Sequence, residues 1–348
     1  MEGVAHRPFV SVVVPTCNRR ADIETCLRSL VNQTYAPYEI IISDDASTDD
    51  TPAFMERFMA DHPAAPVRYL RGDVHQGANP ARNRGVREAR GELIAFTDSD
   101  CIAEPAWLEN LVPPFSDDRV AAVVGLVNGP PPSNIFELVL KGLHRVPGPA
   151  VTRLVGGNMC VRRELLLRYM FDEDRATHAR RGDGTLDLSV SGRGDEEGLH
   201  LTLKADGYRQ LAAPEAVVLH VHPYTARSFF KQALRGGRSA ARLVYKYYLP
   251  PRLDLLPFIF TYLTLPLGFL GSRCLLVPAF FFVAANAALT YNELFRKGKT
   301  IGEWLLCHPL LLVYYQVRLF GYATEWLRLH FGQHDVRRVR LKKTNEAG

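Results

Sequence analysis

The chain has no C-x-x-C pair; its six cysteines stand apart at positions 17, 26, 101, 160, 274 and 307. That spacing argues against a zinc ribbon, a redox dithiol and a disulfide framework, and leaves reduced, structural cysteines in a cytosolic setting as the expectation. No G-x-G-x-x-G follows the first apolar run, so a dinucleotide fingerprint is missing. Gly298-Lys299-Thr300 imitates the end of a phosphate loop, but Glu293 stands where the first glycine is needed. The N-terminal stretch lacks a basic region followed by a long apolar one, so no secretory signal is expected. Excess charge is scarce as well: the net is +5 over 348 residues. The tail Leu327–Gly348 alone holds six Lys/Arg against two Asp/Glu. The remainder is nearly neutral, and general nucleic-acid binding loses its support. Internal repeats and low-complexity segments are also missing.

What is present is a large apolar fraction, 47%, with 23% charged residues. That is enough to bury a sizeable core, and the length suits about two domains. Up to about residue 225, short apolar runs alternate with amphipathic stretches, the pattern of an α/β domain. Val10–Val14 reads as a buried strand stopped by Pro15. Ile23, Leu27, Leu30 and Val31 follow at helical spacing. Glu39–Ser43 reads as a second strand, and Ser47-x-x-Asp50 as a capping box for a helix faced by Phe54, Met55, Phe58 and Met59. Val67–Leu70, a helix from about Asn79 to Ala89, and Leu93–Thr97 continue the alternation. Strand, helix, strand, repeated, implies a mainly parallel Rossmann-like sheet with right-handed crossovers.

The composition changes after Pro251. Residues 255–272 and 274–292 carry no charge and are separated only by Arg273. A bilayer core needs ~20 apolar residues as helix, so 253–292 is expected to form a transmembrane hairpin. Ahead of it, 226–252 reads as a basic amphipathic helix carrying Arg227, Lys231, Arg235, Arg238 and Arg242. Trp304–Thr324, broken by His308, Pro309 and Arg318, reads as interfacial within a 293–348 region that ends in a basic tail. Basic residues flank both outer ends of the hairpin. The expectation is therefore a multi-pass protein of the cytoplasmic membrane, in contact with lipid, its catalytic domain on the cytosolic face.

In open α/β sheets, ligands sit beyond the carboxyl ends of the strands. Three polar clusters stand there: Pro15-Thr16-Cys17-Asn18-Arg19, Asp44-Asp45-Ala46-Ser47 and Asp98-Ser99-Asp100. Acidic triplets are common singly; three polar clusters at successive strand ends form a joint signal. Gly194-Asp195-Glu196-Glu197 is a further acidic centre, Gly156-Gly157-Asn158 a flexible loop, and His220 ends a short apolar run.

These stretches resemble the family 2 glycosyltransferases, with their GT-A fold. The resemblance is carried by SVVVPTCNR (11–19), IIISDDASTDDT (40–51), GANPARNRGVREARGELIAFTDSD (77–100), GGNMCVRRE (156–164), FDED (171–174) and GDEEGLHLTLKADGY (194–208). It spans roughly the first 225 residues and implies a nucleoside-diphosphate-sugar donor with a glycan or polyprenyl-linked acceptor. Asp98 and Asp100 match the family's D-x-D, which implies Mn²⁺ or Mg²⁺, since a hard cation takes carboxylate oxygens and neutralises a diphosphate leaving group. Asp100 is the expected metal ligand, Asp98 the residue nearer the ribose, and His220 a further ligand or a core histidine. Asp45 matches the acid that reads the nucleobase, with Asp44 the less favoured partner. Pro15, Thr16 and Asn18 would line the nucleoside pocket, and Arg82 and Asn83 would contact the donor. Gly156, Gly157 and Asn158 match the loop that meets sugar or acceptor.

The family's usual Gly-Glu-Asp is inverted here. Glu196 stands at the general-base position, with Asp195 an open alternative, and Thr202 replaces the usual arginine. Gln232-x-x-Arg235 is similar to the Q-x-x-R-W of processive synthases, but Gly236 replaces the tryptophan. The reading is an inverting, metal-dependent glycosyltransferase. Its rivals are a sugar nucleotidyltransferase, for which PTCNRR offers only Arg19 and Arg20, and a non-catalytic scaffold with a degenerate transferase domain.

Overall fold

The computed structural model describes residues 7–143, 151, 153–173, 196–221, 225–249 and 300–331, with isolated positions between 270 and 288. Eight strands form one sheet in the order β3-β2-β1-β4-β7-β6-β8-β5. They are β1 (Val10–Thr16), β2 (Tyr38–Asp44), β3 (Val67–Arg71), β4 (Leu93–Thr97), β5 (Cys101–Ala103), β6 (Val120–Asn128), β7 (Asn158–Arg162) and β8 (Arg209–His220). The first four are parallel to one another. From β7 the sheet turns mixed: β7 is antiparallel to β4 and β6, β8 is parallel to β6, and β5 is antiparallel to β8. The mainly parallel expectation thus holds for the first half only. The antiparallel strand is β7, inserted between β4 and β6, and β5 closes the far edge against β8.

Helices α1 (Arg20–Val31), α2 (Thr51–Asp61) and α3 (Ala78–Glu88) make the early crossovers. Strand alternation sends Val12, Val14, Ile40 and Ile42 to one face, against Ile23 and Leu27 of α1 and Met55 of α2. Val13, Ile41, Ile94 and Phe96 point to the other, against Val86 of α3. Burial on both faces is why these strands read as continuous apolar runs. The expected capping box at Ser47 is absent. The Ser47 hydroxyl donates to Asp44 Oδ1 at 2.6 Å, and Asp50 caps α2 without a side-chain bond. Later helices are α4 (Trp107–Leu111), α5 (Ile135–Leu143), α6 (Arg163–Tyr169), α7 (Glu197–Ala205), α8 (Ala226–Lys246) and α9 (Ile301–Phe331). Among the described residues, Cys17, Cys26, Cys101, Cys160 and Cys307 form no disulfide.

α8 and α9 pack together, sharing a small core with α5 through Phe229, Ala233, Leu140, Leu311 and Tyr314. Glycine lets their backbones touch: a Cβ at Gly237 would collide with the Arg318 carbonyl, and one at Gly321 with that of Leu234. Arg242 Nε donates to Glu325 Oε1 at 2.6 Å with both side chains 4% exposed. The multi-pass membrane expectation is overturned here: among the described residues no helix is long and apolar enough to cross a membrane. Trp304–Thr324 lies inside α9, whose length is punctuated by Glu303, His308, Pro309, Arg318, Glu325 and Arg328. With the crossings goes the argument for a cytosolic face of a membrane. The expected hairpin at 253–292 lies almost wholly outside the described residues, as does the tail from 332. Gly298-Lys299-Thr300 resolves in part: Thr300 caps α9, its backbone N–H donating to Glu303 Oε2 at 2.8 Å and its hydroxyl accepting from the Glu303 N–H.

Candidate active site

The topology brings the expected clusters to one edge. β1, β2 and β4 end there at Thr16, Asp44 and Thr97. β7, running the other way, begins there with Asn158 opposite Thr97. β8 ends there with His220 opposite Cys101, the first residue of β5.

The β1 and β2 ends form one pocket wall. Asn18 sits in the left-handed region (φ 52°) and its Oδ1 accepts from the Thr48 and Asp49 backbone N–H groups at 2.8 and 3.2 Å. Asn18 staples the loop through its Oδ1, and its backbone N–H donates to the Ser47 hydroxyl at 2.8 Å. Asp44 is fully buried and accepts from Ser47 and the Tyr69 hydroxyl, which makes it a structural partner of β3. Asp45 is 2% exposed and accepts from the Gln76 and Gly77 N–H groups at 2.9 and 2.5 Å. His75 Nδ1 stands 2.7 Å from Asp45 Oδ2 and 3.4 Å from the Cys17 sulfur. Burial and the carboxylates of Asp45, Asp44 and Asp49 push the Cys17 thiol up to about 11, against the pull of Arg19. Thr16 is nearly buried beside Pro15. His75 and Cys17 carried no expected role; their only signal in the sequence was Cys17's place at a strand end.

The other wall is built on α3. Arg82 is 5% exposed and spans two carboxylates: Nη2 donates to Asp98 Oδ1 at 3.1 Å, and Nη1 lies 3.3 Å from Glu196 Oε1. Asn83 points elsewhere. Its amide clamps the Phe171 backbone, donating to the carbonyl and accepting from the N–H, both at 2.9 Å. Glu196 caps α7 with its side chain 14% exposed. Gly156 and Gly157 are small for a reason: a Cβ at Gly156 would strike Glu196 Oε1 and sit 2.6 Å from Arg82 Nη2, and one at Gly157 would sit 3.0 Å from Asp98 Oδ2. Asn158 is different. It is fully buried, donates to the Leu126 and Ala216 carbonyls at 2.9 and 2.7 Å, and accepts from Trp107 Nε1 at 2.8 Å. It straps strands together and has no side-chain atom left for an acceptor. Asp195 lies outside the described residues.

Asp100 and His220 face each other at the β5–β8 end, with Oδ1 and Nε2 3.6 Å apart. That is too long for a hydrogen bond, and it suits two ligands of one cation bonding at ~2.0–2.2 Å. Arg19, which the sequence left without a role, reaches within 3.6 Å of Asp100 Oδ2. Among the described residues no group of three His, Cys, Asp or Glu closes on one point. A carboxylate and an imidazole fit a cation that takes its remaining oxygens from a diphosphate and water. Asp98 is held on Arg82 instead.

Residues 11–165 match the model of glycosyl transferase family 2. Glycosyltransferase AglE of Haloferax volcanii is 35% identical over 34% of this chain and 40% of its own length. The GalNAc(5)-diNAcBac-PP-undecaprenol β-1,3-glucosyltransferase of Campylobacter jejuni is 38% identical over 27% of this chain and 30% of its own. The chain therefore spans well under half the length of these curated relatives. Among solved structures, the mannosyltransferase PcManGT of Pyrobaculum calidifontis, in complex with GDP-Man and Mn²⁺, aligns with TM-score 0.59 at 22% identity, over 93% of this chain and 88% of that one. GalNAc-T7 with UDP, GalNAc and Mn²⁺ aligns with TM-score 0.52 at 16% identity, over 75% and 52%. Residues 11–165 thus match glycosyl transferase family 2, and the chain has a GT-A-like α/β fold.

Proposed function

We propose that the chain is an inverting, metal-dependent glycosyltransferase, moving a sugar from a nucleoside-diphosphate donor to an acceptor hydroxyl. The observation that carries this is the convergence of Asp45, Asp100 with His220, and Arg82 with Glu196 on one sheet edge. The nucleoside lies over the β1–β2 ends, against Pro15, Thr16 and the backbone at Asn18. Asp45 uses three acceptor positions within the chain, which leaves one of its roughly four for an N–H on the nucleobase edge. Asp100 and His220 would hold Mn²⁺ or Mg²⁺, which supplies charge neutralisation for the departing diphosphate. Asp98 stands beside the ribose, kept in place by Arg82. Arg82 also sets the Glu196 carboxylate at the mouth of the Gly156–Gly157 loop, where the acceptor enters.

The acceptor oxygen attacks the anomeric carbon as Glu196 takes its proton, and the bond to the diphosphate breaks with its electron pair leaving on the phosphate oxygen. Attack opposite the leaving group inverts the anomeric centre. The Campylobacter relative, a glucosyltransferase acting on an undecaprenol-linked saccharide by its name, supports a glycan or polyprenyl-linked acceptor.

The test is a thermal-shift panel of UDP-, GDP- and dTDP-sugars with and without Mn²⁺, followed by donor hydrolysis. A donor at ~100 times its Kd stabilises the fold by ~2.7 kcal/mol. Mn²⁺-dependent binding and release of nucleoside diphosphate are expected. Release of pyrophosphate from a nucleoside triphosphate, or no nucleotide binding at all, sinks the proposal.

A further inference from the structure

Lys246 ends α8, remote in sequence from every motif at the sheet edge. Its ammonium lies 2.7 Å from Asp172 Oδ1, with the two side chains 10% and 7% exposed. Asp172 belongs to a loop stapled to α3. Its carbonyl accepts from Asn79 Nδ2 at 2.8 Å, the neighbouring Phe171 is clamped by Asn83, and the Asn83 amide also reaches Glu173 Oε1 at 2.7 Å. Asn79 Oδ1 in turn accepts from Arg82 Nη1 at 3.2 Å, the nitrogen that lies 3.3 Å from Glu196. The Phe171 ring closes the same unit, 5.2 Å from Phe96 of β4 and 5.8 Å from the Arg82 guanidinium.

A second contact runs beside the first. The Tyr247 hydroxyl rests on the first turn of α7, where a Cβ at Gly198 would sit 2.5 Å from it. Gly198 lies two residues beyond Glu196. The last turn of α8 therefore touches both the loop that supports Arg82 and the turn that carries Glu196.

We infer that Lys246 is a positioning residue for the base: by neutralising Asp172 it fixes the 171–173 loop, and through Asn79 and Arg82 it sets the Glu196 carboxylate. Taking the ammonium away from this buried carboxylate removes a charge-assisted contact at 2.7 Å, which is costly in a buried pair, and the loop that carries Asp172 moves with it. Displacements of about 1 Å at a reacting group cost on the order of 10²-fold in rate. The role makes the α8–α9 pair part of the catalytic apparatus. α9 holds α8 through Arg242–Glu325 and the glycine crossing, and α8 holds the base.

This inference rests on the transferase reading, and its test has an arm that does not. The variants are Lys246→Met, Lys246→Arg and Lys246→Met/Asp172→Asn in the full chain. Transfer or donor hydrolysis gives kcat and the donor KM; hydrogen exchange is followed at the His200 amide, which donates to the Glu196 carbonyl at 2.9 Å. Lys246→Met is expected to lower kcat about 10²-fold with donor KM within about twofold, and to speed exchange at His200 while amides of β1 and β4 keep their protection. Lys246→Arg should restore most of both. The double variant, which removes both charges of the pair, should recover part. Wild-type kcat and exchange in Lys246→Met would overturn the inference, as would loss of protection spread evenly over β1 and β4. Absence of Mn²⁺-dependent nucleotide binding in the unmutated chain would bring down the transferase reading instead, while the exchange arm would still report on the brace.

Discussion

Arg82 Nη1 and Glu196 Oε1 lie 3.3 Å apart, their side chains 6% and 14% exposed. The same guanidinium holds Asp98 at 3.1 Å. One cation thus sets the spacing between Asp98, proposed to face the ribose, and Glu196, proposed to take the proton. Glu196→Gln keeps the shape and removes the base. Turnover should fall by ~10²–10⁴-fold, the usual scale of general-base catalysis, with nucleoside-diphosphate affinity little changed. If Asp195→Asn is the dead variant and Glu196→Gln turns over normally, the base stands one position earlier.

The metal pair makes a separate prediction. Asp100→Asn should abolish the Mn²⁺-dependent part of nucleotide binding, and His220→Ala should weaken it, because each would contribute one ligand of the proposed pair. Calorimetric titration of Mn²⁺ with nucleoside diphosphate present reads both. Equal nucleotide affinity in EDTA and in Mn²⁺ would dismiss the cation.

How much of this was legible follows burial more than chemistry. Leu93–Thr97 matches its strand end to end, and the sheet-edge positions of Asp45, Asp98, Asp100 and His220 follow from strand ends that any apolar run reveals. Residue type did not tell which polar side chains turn inward. Asn83 and Asn158 read as ligand contacts, yet each engages both ends of its amide within its own chain, while Asn18 commits its Oδ1 to the Thr48 and Asp49 N–H groups. Ser47 read as a helix cap and serves Asp44 instead. The antiparallel insertion of β7 and the Lys246–Asp172 pair depend on contacts far apart in sequence, which periodicity does not carry.

Asn158 and Gly156 are neighbours in sequence with opposite expected behaviour. Asn158→Ala leaves the Trp107 N–H and two strand carbonyls without their partner, and buried orphans cost ~1–3 kcal/mol each. A clear drop in the urea midpoint is expected, with nucleotide affinity of the folded fraction retained. Gly156→Ala pushes on Glu196 Oε1 and Arg82. Its midpoint should stay near wild type while kcat falls about 10²-fold. The reverse pattern would mean that the loop is structural and Asn158 the contact.

Acid should loosen the α8–α9 pair. Burial pushes the Glu325 carboxyl up, but bonds from Arg328 and the charge and bond of Arg242 outweigh it, so the folded value lies below the ordinary glutamate one. A depressed carboxylate contributes stability that is full above the ordinary glutamate range and is lost as pH falls through the folded value. Urea midpoints should therefore drop on acidification below about pH 4.5 more in the wild type than in Arg242→Met/Glu325→Gln. Parallel pH profiles for the two proteins would refute the linkage.

Cys17 offers a chemical probe of the proposed nucleoside site. It is only partly buried, so access alone would let an alkylating reagent reach it. Its thiol is nevertheless pushed up to about 11, first by burial and then by Asp45, Asp44 and Asp49. At pH 8 that leaves a thiolate fraction on the order of 10⁻³, against ~0.2 for a free cysteine, and the thiolate is the nucleophile. Iodoacetamide should therefore label Cys17 at least about 10²-fold more slowly than free cysteine at pH 8, with the rate still rising at pH 10. Asp45→Asn removes the largest of the three carboxylate effects and should speed labelling at pH 8. Saturating nucleoside diphosphate should slow it, because the nucleoside proposed for the β1–β2 ends covers the sulfur. Mass spectrometry of the peptide containing Cys17 resolves this site from the buried thiols of Cys26, Cys101, Cys160 and Cys307. Rapid labelling at pH 8 would contradict the electrostatic account of the pocket, and labelling indifferent to nucleotide would move the nucleoside off this wall.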